Sequence, residues 1–173
     1  MDGKVSHWYQ FRASLLSRTV KPAKHPTFVM FFALGIVVFG GIGIWVEILR
    51  LNVFLSKEAT FTSVCFAINV FYPSLGCASM LQFIVGNYPK ALKAFGCLLC
   101  FIFIGACLLI GLRQLYTPIG LCVEIALSAL ALWAWWIANA ENPDYLDADD
   151  ATAYGPVDTN TPLPGDLNGF KVD

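Results

Sequence analysis

The stretch 118–139, PIGLCVEIALSALALWAWWIAN, decides the fold class of this chain. It is almost entirely apolar, and a helix needs about 20 such residues to cross a lipid bilayer. Glu124 is its only charged residue, and an acidic segment follows its end. The stretch therefore predicts a membrane-spanning helix that carries one acid inside it.

The composition extends this prediction to most of the chain. Of the 173 residues, 57% are hydrophobic and only 13% are charged, whereas soluble domains carry about 25% charged residues. Similar apolar stretches predict three further spans, at about 28–51, 60–86 and 92–112. The links between them are short, which makes sequential helices antiparallel neighbours. We therefore predict an all-α integral membrane protein with a four-transmembrane-helix up-and-down bundle over residues 28–139.

The two flanks differ in charge. Residues 1–27 hold five cations, and the pattern of residues 5–20 predicts an amphipathic helix on the membrane surface; a disordered basic leader is the alternative. Residues 140–173 hold eight acids, and we expect this cytoplasmic tail to be flexible and largely disordered alone. Four tryptophans predict interfacial anchors: Trp8, Trp133, Trp135 and Trp136.

The distribution of Lys and Arg predicts the orientation. With four spans both ends of the chain lie on one side, which carries eight cations against three on the other side. We expect both termini to be cytoplasmic and the protein to be multi-pass in a plasma membrane, such as a bacterial inner membrane.

Two carboxylates fall inside the predicted spans, Glu47 and Glu124. Charge inside a membrane is costly and usually faces the bundle interior. With the predicted orientation, Arg50 and Arg113 lie at the same level, so we predict one polar cluster of these four residues. Four roles remain open: an ion-pair network that fixes helix register, snorkelling of Glu47 to water beside Arg50, an ion or proton pathway, and a contact between subunits.

Small side chains share a face with each of these acids. Because small residues let helix backbones approach closely, we predict helix packing or homo-oligomer contacts at five positions: Gly40, Gly43, Gly120, Ser128 and Ala131.

The pair Cys97-Leu-Leu-Cys100 resembles the CxxC motif of quinone-linked disulfide oxidoreductases. The resemblance implies a membrane thiol oxidoreductase, but it covers four residues and the number of spans only. Both thiols are expected deep in hydrocarbon, where thiols stay protonated and inert, and every cysteine lies in an apolar segment. We treat this function as the third hypothesis.

The leading hypothesis is a non-enzymatic membrane subunit that anchors or senses and recruits a cytosolic protein through its tail. Spaced apolar residues near the end of the tail are typical of a docking peptide: Leu163, Leu167, Phe170 and Val172. A bacterial phage-defence or signalling complex would suit such a subunit. The alternative is an oligomeric ion or proton pore, or a small transporter, that uses Glu47 and Glu124. We expect no cofactor, no metal and no direct nucleic-acid binding.

Overall fold

A computed structural model describes residues 7–52 and 60–147, and these residues contain helices and no strand. The all-α prediction is therefore confirmed for this part of the chain. The helices are α1 (His7–Val20), α2 (Pro26–Met30), α3 (Ile42–Asn52), α4 (Phe61–Val85), α5 (Lys90–Arg113) and α6 (Pro118–Asn139). A π-helix at Phe31–Gly40 continues α2, and 3-10 turns lie at Lys21–Lys24 and Pro143–Tyr145.

Local sequence signals begin and end the long helices. The Thr60 side chain accepts a hydrogen bond from the Ser63 amide, and the Ser63 hydroxyl oxygen accepts one from the Thr60 amide, so α4 begins with a capping box. Thr117 caps α6 in a similar way, directly before Pro118. At the end of α5, Gln114 adopts a left-handed conformation with a φ of 49°.

Three of the described helices, α4, α5 and α6, are long and apolar enough to cross a membrane. A fourth candidate is the pair Trp8–Lys24 and Pro26–Gly40, if these segments form one span with a bend of 94° between them. The structure thus contains three or four apolar helices that fit the dimensions of a bilayer.

The segment predicted as the first span, 28–51, is not one continuous helix. It is divided at Gly41, which separates the π-helix from α3. A Cβ atom at Gly41 would lie 2.5 Å from the Val37 carbonyl oxygen, so the break requires glycine. The Trp45 indole donates a hydrogen bond of 3.0 Å to the same carbonyl. The polar backbone group at the break is therefore satisfied within the segment.

Helix α4 is the centre of the bundle. It packs against α3, α5 and α6, whereas α5 and α6 have little backbone contact with each other. This differs from the expectation that all sequential helices are neighbours. Helices α4 and α5 approach closely at Gly76, where an added Cβ atom would meet the Phe103 ring at 2.4 Å. Apolar side chains that are fully buried fill the contacts between these helices: Tyr72, Met80, Phe83, Phe103 and Ile137.

Candidate functional site

Glu47 is held between α3 and α4 by two partners. Arg50, one turn later in α3, donates a hydrogen bond of 3.0 Å to one carboxylate oxygen of Glu47. The Ser63 hydroxyl, in the first turn of α4, donates a hydrogen bond of 2.8 Å to the other oxygen. Both Glu47 oxygens are therefore satisfied, and the group joins the end of α3 to the beginning of α4.

The four residues of the predicted polar cluster do not form one cluster in the structure. Glu47 and Arg50 form an ion pair. Arg113 is exposed at the end of α5, and none of the ion pairs among residues 7–52 and 60–147 includes it or Glu124. The two acids that the sequence groups together thus have different environments.

Glu124 lies on the face of α6 that packs against α4, and it is 0% exposed. Neither of its carboxyl oxygens has a hydrogen-bond partner in the described part of the chain. Ser128 follows one helical turn later, and its hydroxyl oxygen is also buried and without a partner there. Buried polar groups are almost always hydrogen-bonded, so three unsatisfied oxygens on one face require an explanation. We call Glu124 and Ser128 the buried carboxyl site.

The groups around the buried carboxyl site come from two helices and one connection. Cys65 and Tyr72 of α4, Cys107 of α5 and Tyr116 of the α5–α6 connection lie within electrostatic reach of Glu124. The Cys65 thiol is beside the carboxyl, but the contact does not have the geometry of a hydrogen bond. Partial burial raises the pKa of Tyr116, which lies near Glu124.

The neighbouring polar groups bond to one another instead of to Glu124. The Tyr72 hydroxyl donates a hydrogen bond of 3.0 Å to the Asn69 amide oxygen. The Asn69 amide nitrogen donates one of 3.4 Å to the Cys107 carbonyl, and the Cys107 thiol lies 3.4 Å from the Asn69 carbonyl. Pro73 cannot donate to this last carbonyl, because proline has no N–H group. The thiol of Cys107 therefore satisfies the oxygen that Pro73 leaves free.

A second polar feature joins the two flanks of the bundle. Arg18 of α1, which is 5% exposed, forms an ion pair with Glu141 and donates to the Ile137 carbonyl over 3.4 Å. Thr27 donates hydrogen bonds to the carboxylate of Asp147. We call these contacts the head–tail interface.

Aromatic rings complete the head–tail interface. The Tyr145 ring stacks on Phe31, with ring centroids 4.4 Å apart, and Phe28 is fully buried beside Trp136. The predicted tail begins at residue 140, but residues 141–147 are part of the folded body and pack against the basic head.

The predicted tryptophan anchors lie in two different environments. Trp133 and Trp136 donate hydrogen bonds to the side chain and the backbone of Thr19, and Trp135 is 7% exposed. These three therefore pack α6 against the N-terminal segment. Trp8 is 74% exposed. Their role as membrane anchors stays a prediction.

The small residues predicted to serve helix packing also lie in different environments. An added Cβ at Gly120 would lie 1.9 Å from the Leu115 carbonyl, so Gly120 serves the close turn between α5 and α6. Ala131 is fully buried within the bundle. Gly40 and Gly43 line an open surface groove of about 450 Å³, and a Cβ at Gly43 would meet no atom within 4 Å. A homo-oligomer at this groove stays a prediction.

The remaining predicted residues carry no new chemistry in the structure. Cys97 is exposed and Cys100 is half-buried, and both are free thiols. The tail residues Leu163, Leu167, Phe170 and Val172 lie outside the described residues. The described part of the chain contains no group of His, Cys, Asp and Glu that could hold a metal ion.

No protein-family model matches this chain, and no curated protein or solved structure matches it significantly. The geometry and the chemistry of the residues are therefore the basis for assigning a function.

Proposed function

We propose that this protein is a non-enzymatic, multi-pass membrane subunit that recruits a cytosolic protein through the segment that follows residue 147. The head–tail interface is the observation that carries the proposal. Glu141 and Asp147 attach the beginning of the tail to Arg18 and Thr27 of the basic head, and Tyr145 stacks on Phe31. The rest of the chain therefore leaves the body from a defined position, as an anchored docking segment requires.

The sequence beyond residue 147 supports a protein partner. It is acidic and rich in proline, and its apolar residues recur at short intervals near the end: Leu163, Leu167, Phe170 and Val172. Spaced apolar residues in an extended peptide insert into pockets of a partner surface, and the main chain adds hydrogen bonds.

The distribution of cations supports a cytosolic position for this segment. The positive-inside rule, applied to four spans, assigns both ends of the chain and the 86–90 link to the cytoplasmic side. The head–tail interface is compatible with this topology, because it requires α1 and the end of α6 to be on the same side.

The test is an affinity purification of the tagged full chain in mild detergent, followed by sizing and mass spectrometry. The expected result is a soluble partner in defined stoichiometry, which rebinds the chain after separate purification. Deletion of residues 156–173 should abolish rebinding and leave membrane insertion and the sizing profile unchanged.

A matched control separates apolar docking from simple charge attraction. Replacement of Leu163, Leu167, Phe170 and Val172 by serine keeps every acid of the tail. We expect this variant to lose the partner as the deletion does. Binding that survives the deletion would contradict the proposal, and binding that survives the serine variant alone would mean that the acids, and not the apolar residues, provide the affinity.

A further inference from the structure

We propose that Glu124 is a proton-binding site: the folded bundle holds this carboxyl in its neutral, protonated form. The ligand is the proton itself, which adds to one carboxylate oxygen of Glu124 and leaves from it again. The inference is independent of partner recruitment, because it concerns α4, α5 and α6 and not the tail.

The geometry favours a neutral carboxyl over a carboxylate. Glu124 is 0% exposed, and no described residue donates a hydrogen bond to either of its oxygens. A buried carboxylate without a donor or a counter-ion has the full cost of desolvation and no compensation. A protonated carboxylic acid has no net charge, so its burial costs much less than the burial of a carboxylate.

The ionisable groups around Glu124 cannot compensate a negative charge. Those within electrostatic reach of Glu124 are Cys65 and Tyr72 of α4, Cys107 of α5 and Tyr116 of the connection. Each is itself an acid that is neutral or negative, so none can supply a positive charge. The ion pairs of the described residues involve other acids.

A metal ion fits the site less well than a proton does. Ca²⁺ and Mg²⁺ require about six or more oxygen ligands, whereas the unpartnered oxygens at this site are the two of Glu124 and the one of Ser128. Among residues 7–52 and 60–147 there is no group of ligating side chains suited to a metal.

The position of Glu124 indicates where the proton exchanges. Glu124 is six residues beyond Pro118, so it lies about 9 Å along the helix from the beginning of α6. Tyr116 lies in the connection that precedes this helix. The shortest route along α6 to bulk water therefore passes the α5–α6 connection. With the orientation proposed above, that connection faces the compartment opposite to the termini.

Dicyclohexylcarbodiimide tests the protonation state directly, because this apolar reagent reacts with protonated carboxyl groups in membranes. The O–H group of the acid adds across one C=N bond of the carbodiimide, and the acyl group then migrates to nitrogen. The product is a stable N-acylurea, and the protein gains the mass of one reagent molecule. No oxidant and no leaving group are involved.

The experiment compares the purified full chain with E124Q and with the matched control E47Q, each in lipid nanodiscs. Glu47 is an acid near the end of a span as well, but its carboxylate is satisfied by Arg50 and Ser63. We expect one rapid adduct in the wild type and in E47Q, and at least a tenfold slower reaction in E124Q. The rate in the wild type should fall as the pH rises, and sodium at constant pH should not change it.

Three results would overturn the inference: equal labelling of E124Q and the wild type, no labelling of the wild type in acidic buffer, and protection by sodium at constant pH. The last result would identify a cation site instead of a proton site. If E124Q does not fold, peptide mapping of the labelled wild type decides the question. An adduct on the 118–139 peptide supports the inference, and an adduct elsewhere contradicts it.

Discussion

The contact between Gly76 of α4 and Phe103 of α5 can be tested by the addition of one Cβ atom. Replacement of Gly76 by alanine adds a Cβ atom that would lie 2.4 Å from the Phe103 ring, and two further ring atoms lie within 2.9 Å. Phe103 is fully buried and packs beside Tyr72. The ring therefore has little room to move, and either α4 or α5 must shift.

The magnitude follows from two opposing effects. Overpacking of a filled core costs about 1–3 kcal/mol, and the contact distance places G76A near the upper end of that range. Alanine in place of glycine favours a helix by about 0.5–1 kcal/mol. The net expectation is a loss of about 2 kcal/mol of unfolding free energy.

Gly105 provides a matched control in α5. A Cβ atom at Gly105 would meet no atom within 4 Å, so G105A has the gain in helix propensity without the clash. We expect G105A to be as stable as the wild type or more stable by about 0.5–1 kcal/mol.

The assay is reversible unfolding in mixed micelles with an increasing fraction of denaturing detergent, monitored by far-UV circular dichroism. G76A combined with F103L should recover part of the loss, since leucine is smaller than the phenylalanine ring, and a double-mutant cycle measures this coupling. Unfolding of G76A at the same point as the wild type and G105A would refute the proposed packing of α4 on α5.

Two further predictions concern the ion pairs. E141Q should reduce the unfolding free energy by about 3 kcal/mol, because it leaves the buried Arg18 guanidinium without its counter-ion. R18A removes that charge and should cost about 1–2 kcal/mol through the lost contact with the Tyr88 ring; equal losses in the same unfolding assay would contradict this. E47Q should reduce the unfolding free energy by less than about 1 kcal/mol, since the Arg50 partner of Glu47 is partly exposed. A loss as large as that of R18A would show that the hydrogen bond between Glu47 and Ser63 contributes more than the exposure of the pair indicates.

The helical architecture could be predicted from the sequence, because its signals are local. Runs of apolar residues indicate spans, and Pro118 after Thr117 indicates the beginning of a helix. The predicted span at 118–139 has the same bounds as α6. The division of the first segment at Gly41 was missed, although three glycines lie in that region. These glycines indicate a possible break, but composition does not show the hydrogen bond from Trp45 to Val37.

The central position of α4 could not be predicted, because it depends on contacts between distant residues. This segment has the least regular apolar pattern of the spans, with Asn69, Pro73 and Gly76 in its middle. In the structure these residues satisfy or permit contacts with α5. These polar and small residues therefore serve the contact with α5, and they do not indicate the contacts of α4 with α3 and α6.

The candidate site could likewise be predicted only in part from the sequence. Glu124 could be identified as an unusual residue from its type and its surroundings alone. Its separation from Arg113 could not, because the depth of a residue along a helix does not determine which side of the helix it faces. The part played by Cys65 and Tyr72 depends on how α4 is rotated against α6, which no single-sequence pattern gives.

The head–tail interface has a consequence for the order in which the chain folds during synthesis. Arg18 and Thr19 contact residues that follow them by 114 to 123 positions. The ribosome therefore completes α4, α5 and most of α6 before α1 can form these hydrogen bonds, although Arg18 can contact Phe83 and Tyr88 earlier. A chain that ends before Glu141 lacks the acid that pairs with Arg18. The head–tail interface therefore joins the first and last parts of the described structure to be synthesised.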